Sequence, residues 1–301
     1  MMNRLMKVFG LLSMVTMLLV ASMATVLAAE NVDWNRNVIR ATGGGVAPAN
    51  ARNIAQARMM ARRAAINDAY RQLAEYVGGV NVDSETTVSM AEVQSDVIKT
   101  RVKATVRGAR IVDERQTADG GFEVTVEVPM FGVSSLASAV INRPAVVESF
   151  PEQTADVLPS KVEPYQDGGW ATPAPSRDNT GSSAAPAPDG KAIGKFTGLI
   201  VDCRGLGLKP VMSPVIKNAN GRPIYGYKNL DYDKVIEKGM ASYARNMSEA
   251  SRAGRNPLIV RALDVENHGG TPVLSVADAN RVLIENGATH FLDDTNVVFL
   301  R

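Results

Sequence analysis

The sequence predicts an α+β protein of two domains, each a mixed or antiparallel sheet with helices packed on it, joined by a Pro/Ala/Ser-rich linker. Three observations predict this. An Ala- and Arg-rich run from Pro48 to Val77 has helical periodicity and strand-like sequence on both sides. From Arg143 to Gly190 the apolar periodicity vanishes and Pro, Ala, Ser, Gly and Asp recur. The chain has 301 residues with 45% hydrophobic content, enough for two packed cores. The expected divisions are a signal peptide over residues 1–28, a first α+β domain over 29–142, a flexible linker over 143–190 and a C-terminal α/β domain over 191–301.

Arg4 and Lys7 precede a nearly all-apolar run from Val8 to Leu27, and Val26-Leu27-Ala28 offers small residues at a cleavage position. Removal after Ala28 is expected, with Ala29 as an alternative site. The run is also long enough to be kept as an anchor. Export to the periplasm or cell envelope follows. No Cys follows the run, which excludes a lipid anchor there, and the only Cys is Cys203. A single Cys permits no internal disulfide, so stability rests on packing. Without Arg4 and Lys7 the 33 Lys and Arg fall to 31, against 31 Asp and Glu. That balance gives no electrostatic footprint for nucleic acid.

In the first domain, Val32–Thr42 reads as a strand that turns at Gly43-Gly44-Gly45. The glycines lack the Lys-Ser/Thr of a phosphate loop. The helix over Pro48–Val77 follows, with proline at its start and Gly78-Gly79 as its stop. Its predicted inner stripe is Ala51, Ala55, Met59, Ile66, Ala69, Tyr70, Leu73 and Val77. Arg62 projects into the middle of that stripe, with Arg58 near its edge. A guanidinium there must reach the rim or meet a carboxylate. Arg62 and Arg58 are therefore the candidate contacts for a partner or an anion, a structural ion pair being the plainer reading. Val80–Val88 reads as extended, and Ser95-Asp96 as the cap of a helical turn ending at Lys99. Val102, Ala104 and Val106 read as a strand that shifts phase at Gly108, as at a β-bulge. Asp119-Gly120-Gly121 is a hairpin signal. Phe122, Val124, Val126 and Val128, alternating with Glu123, Thr125 and Glu127, mark a strand with one wet face. A short helix from Ser134 to Ile141 closes the domain.

Ala55-Gln56-Ala57-Arg58, Arg63-Ala64-Ala65 and Asp68-Ala69, with Ser95–Thr100 and Asp119–Thr125, resemble the LPP-twenty lipoprotein family, over roughly residues 37–132. The domain also resembles the N-terminal domain of the flagellar assembly protein FlgT. The resemblance implies a non-enzymatic exported envelope protein that meets other envelope proteins, associated with the outer membrane or with assembly of a surface structure. It supplies no catalytic residues. The missing cysteine departs from the lipoprotein pattern.

In the second domain, Phe196–Cys203 reads as a buried strand and Leu208–Val215 as a strand broken by prolines. Asn220-Gly221 turns into Pro223–Tyr227. Asp231 caps a helix ending at Gly239, and Ser248–Ala253 is a second short helix. Pro257 begins a strand that runs to Val265 and turns over Asn267–Gly270. Ser275 and Asp278 form a capping box for a helix stopping at Gly287, and Asn296–Leu300 is the last strand. Strand, helix and strand at this spacing suggest a crossover in a mixed sheet.

Catalytic and metal signatures are weak. His268 and His290 are the only histidines, with no metal-ligand spacing between them. Gly205-Leu206-Gly207 lacks a third glycine and the following helix of a dinucleotide loop. Asp293-Asp294 reads as a solvated turn, and Cys203 as a small buried hydrophobe. No cofactor, metal or catalytic residue is expected. A structural or assembly role in the envelope is favoured. The alternative is a periplasmic binding module with its ligand pocket around Gly205–Pro210. An enzyme would need Asp202, Asp264 or Asp293 to converge with a histidine.

Overall fold

The computed structural model describes residues 31–162 and 190–301. The expected signal segment and residues 163–189 of the expected linker lie outside the described residues. Among the described residues the chain forms two compact units, one of residues up to Val80 with Lys103–Met130, the other of Asn81–Val102 with Phe131–Arg301.

The first unit is a four-stranded antiparallel sheet, ordered β1 (Val32–Asp33), β2 (Val38–Gly45), β4 (Phe122–Pro129), β3 (Arg110–Gln116). Against β2 and β4 lies α1 (Ile54–Gly78). The expected turn at Gly43–Gly45 is instead the end of β2, paired with β4 from Gly43↔Val124 to Gly45↔Phe122. The reason is close approach. A Cβ on Gly43 would fall 2.1 Å from the Ala69 nitrogen, and one on Gly45 2.2 Å from the Ala61 carbonyl oxygen. Only glycine in the strand and alanine in the helix let the two backbones lie so near.

α1 begins six residues later than Pro48 suggests. Asn53 is the N-cap and accepts from the Gln56 amide at 2.8 Å, while the Gln56 side chain accepts from the Arg52 amide at 2.8 Å. The buried stripe is Ala61, Ala65, Ala69, Leu73 and Val77, spaced by four. Ala51, Ala55 and Met59, placed on the inner side by periodicity, do not reach it; Met59 is 74% exposed. Arg62 is likewise on the outside of the helix and not in its stripe.

Two strand expectations give way to helix or bend. Residues 80–87 are irregular with a single Asn81↔Thr87 bridge, and α2 (Val88–Gln94) follows. α3 (Asp96–Arg107) runs through Val102–Val106, burying Ile98 and Val102 at a four-residue spacing that alternation does not reveal. Gly108 ends the helix, and the bulge sits between Ile111 and Asp113. The Asp119–Gly121 hairpin and the β4 alternation are as expected, except that Glu127 is buried between Arg40 (2.6 Å) and Arg110 (3.1 Å).

The second unit holds two sheets. One is wholly parallel, ordered β8 (Ser242–Ala244), β12 (Val297–Leu300), β5 (Gly198–Asp202), β9 (Pro257–Arg261). The other is mixed, ordered β10 (Asp264–Glu266), β11 (Thr271–Leu274), β6 (Ile216–Asn218), β7 (Pro223–Tyr225). Every residue of β5, β11 and β12 is buried, as in sheets covered on both faces. The expected strand at Leu208–Val215 is irregular, and β6 starts only at Ile216. Asn220-Gly221 turns β6 into β7, and Asp231 caps α5 (Tyr232–Lys238) by accepting from the Lys234 amide at 3.0 Å. Ser248–Ala253 forms two 3₁₀ turns. α6 (Val276–Thr289) opens on the Ser275–Asp278 capping box and runs past Gly287 to a left-handed cap at His290.

Two stretches fall on the other side of the expected boundaries. Asn81 and Val82 accept from the amides of Met212 and Ser213, so the 81–102 stretch joins the second unit. The short helix α4 (Leu136–Val140) belongs there as well. Residues 143–162, expected as the start of a tether, are irregular but bonded along α5 and α6. Glu148 donates to the Lys228 carbonyl at 2.8 Å. Asn280, 1% exposed, spans Thr154 and Val157 through contacts of 2.7–3.0 Å. Arg281 donates to the carbonyls of Ser160 (2.7 Å) and Lys191 (3.1 Å) and to Glu285 (3.1 Å). Glu285 in turn accepts from the amides of Ile193 and Gly194 at 2.9–3.0 Å. Composition misses this because the partners are backbone groups, which any residue carries.

Candidate functional site

The outer side of α1 carries the two arginines singled out by sequence. Alanine and glycine fill the inner contact, so the long side chains of the N-terminal half have no sheet to cover and stand in solvent. Ile54 is 73% exposed and Met60 39%. Met60 bounds, with Met59, Arg62, Arg63 and Ile66, a shallow groove of about 680 Å³. From Pro48 to Asn67 the sequence holds four arginines and no acidic residue.

Arg62 forms an ion pair with Glu114 of β3, Nη2 at 2.8 Å and Nε at 3.0 Å, both side chains about half exposed. The pair is worth little in solvent and chiefly orients the guanidinium. Arg58 is exposed, a turn away on the same helix. The structure thus brings the two to one surface, and among the described residues it engages only Arg62. Nearer the C-terminal end, Arg71 pairs with both Asp68 and Glu75. The Arg71 hydrogen bond, helped by the Gly44 amide and Gln72, holds the Asp68 carboxyl below its ordinary range. Sequence periodicity missed the exposure of Met59. The signal that could have found it is the Ala61/Ala65/Ala69 spacing read together with Gly43 and Gly45.

The remaining candidates stay dispersed. Asp202 grips Arg204 with both oxygens at 2.7 and 2.9 Å. Asp264 accepts from the Val265 amide. Asp293 reaches His290 at 3.5 Å and accepts from Asn286 at 3.0 Å, and this pair is on the surface. Asp294 pairs with Lys234 at 2.7 Å. Cys203 is fully buried, and desolvation followed by the Asp202 charge pushes its thiol up to about 12. A thiol so placed stays protonated and unreachable at neutral pH. Gly205 and Gly207 both have positive φ, in a turn held by Lys209 donating to the Gly269 carbonyl at 2.8 Å. No helix opens after them, so the dinucleotide reading has no structural basis there. Among the described residues, no three His, Cys, Asp or Glu side chains gather as a metal site would need. No helix among them is long and apolar enough to cross a membrane.

Comparison with known proteins finds two matches to family models. Residues 198–301 match the second domain of Treponema pallidum Tp0624. No curated protein matches the chain. Residues 44–129, which carry α1, the exposed arginine and methionine surface and the β3–β4 hairpin, match the LPP20 lipoprotein family.

Proposed function

We propose that the protein is an exported, non-enzymatic component of the cell envelope that holds other envelope proteins through the outer face of α1. The match of residues 44–129 to LPP20 lipoproteins supports an envelope location. The observation that carries the contact itself is the exposed Met59 and Ile54 beside Arg58 and Arg63 on a helix segment with no acidic residue. Apolar side chains rimmed by cations suit a partner surface with apolar and acidic character. The only cysteine is Cys203, buried in the second unit, so surface contact rather than an acyl chain on cysteine is the proposed means of retention. An outer-membrane or flagellar assembly is the setting the role fits.

A photo-crosslinking side chain at position 59, set against one at Val133, which is 93% exposed in the second unit, tests this in intact envelopes. Position 59 should trap a discrete partner that Arg58→Glu with Arg63→Glu abolishes. Equal products from both positions, or products unaffected by charge reversal, would remove the reading. Loss of motility on deletion would tie the role to the flagellum.

A further inference from the structure

Among the described residues, β9 is an edge strand of the parallel sheet in the second unit, paired only with β5. The direction of its backbone groups follows from the bonds at its ends. Asn256 accepts from the Thr197 amide and Ala262 donates to the Asp202 carbonyl, so residues 256, 258, 260 and 262 face β5. Ile259 and Arg261 therefore direct both N–H and C=O outward. Neither has a backbone hydrogen-bond partner among the described residues. Pro257 stands at the strand's first position, where its missing N–H leaves the ladder intact.

Beside this edge is a groove of about 240 Å³, bounded by Leu258–Arg261 on one wall and Ser160–Val162 on the other. Lys161 and Arg261 are exposed at its rim, and neither has an ion pair among the described residues. Among the described residues, the one carboxylate lining it, Asp278, is engaged by the Ser275 hydroxyl at 2.6 Å. Arg281 beneath is neutralised by Glu285. The open groups are thus two donors and two acceptors in strand geometry, flanked by two free cations.

We propose that the outer edge of β9 is a docking strip for an extended, acidic segment of a partner protein, which adds as a further strand and sets carboxylates against Lys161 and Arg261. The charge argues against a second copy of this chain, because edge-to-edge pairing would bring like cations together. This site is separate from the α1 surface and stands or falls without it.

The test uses the mature protein with a short synthetic peptide alternating valine and glutamate, and a valine–lysine peptide as control. The acidic peptide should bind, weaken as salt rises, and slow hydrogen exchange at the Ile259 and Arg261 amides. Ile259→Pro removes an outward N–H that the native ladder does not use. It should lower affinity by roughly tenfold, the cost of one lost bond that leaves its partner unpaired. Lys161→Glu with Arg261→Glu, surface changes that leave the ladder intact, should abolish binding of the acidic peptide and admit the lysine control. Equal binding of both peptides, or undiminished binding to both variants, overturns the proposal. So does slow exchange of the two amides in the free protein, which would show the edge already covered by this chain or a second copy.

Discussion

Where α1 lies on its sheet in the first unit, Ala61, Ala65 and Ala69 meet Gly43 and Gly45 with almost no side chain between the backbones. The second unit instead fills the faces of its parallel sheet with Leu199, Ile200, Val298 and Phe299, while α6 clamps the irregular chain beside it through buried Asn280, Arg281 and Glu285. The contrast teaches where each unit keeps its free surface. A helix seated on small residues spends its large side chains elsewhere, so Ile54, Met59 and Met60 face water. A sheet covered on both faces leaves only an edge open, and β9 is such an edge.

The comparison breaks most readily at Arg281. Its exposure is 2% and that of Glu285 is 0%. Arg281→Ala should destabilise the second unit by about 3–5 kcal/mol, because a buried carboxylate loses its counter-charge; denaturant titration reads this directly. An unchanged midpoint would mean the clamp is dispensable. Gly43→Val comes next. Its branched side chain would overlap the α1 backbone, costing at least the roughly 1–3 kcal/mol of an overpacked contact. Hydrogen exchange should show the first unit loosening while the β5 and β12 amides stay protected.

A smaller effect is expected at Asp68, whose folded pKa lies below the ordinary 3.8. A depressed carboxylate contributes stability that is fully present above its unfolded pKa and disappears as pH falls through the folded value. Asp68→Asn should therefore lower stability at neutral pH and flatten the acid limb below about pH 4. Melting curves with the same slope in both proteins would refute that. The smallest effect is expected from Arg62→Ala, about 0.2–1 kcal/mol for an exposed pair. A larger loss would mean that Arg62 supports the hairpin more than its exposure suggests.

How much was legible varied with the kind of signal. The capping residues Asp231 and Ser275, the hairpin at Asp119–Gly121 and the alternation of β4 are local and were read correctly. Val102, Ala104 and Val106 misled because a short apolar set can satisfy both a period of two and a spacing of four. Arg62 and Arg58 stand out in the sequence because periodicity sets them in and beside the inner stripe, but their side of the helix is set by Gly43 and Gly45, distant in sequence.

The sequence by itself determined the two-unit α+β character, the long helix and the elements bounded by caps and turns, since these depend on neighbours along the chain. Only the tertiary structure decided that β2 runs through its glycines, that residues 143–162 bond to the second unit, and which side of α1 and which edge of β9 stay open. Those depend on backbone groups meeting across many residues. Backbone hydrogen bonds and close approach carry almost no mark of side-chain identity, so composition and periodicity cannot register them.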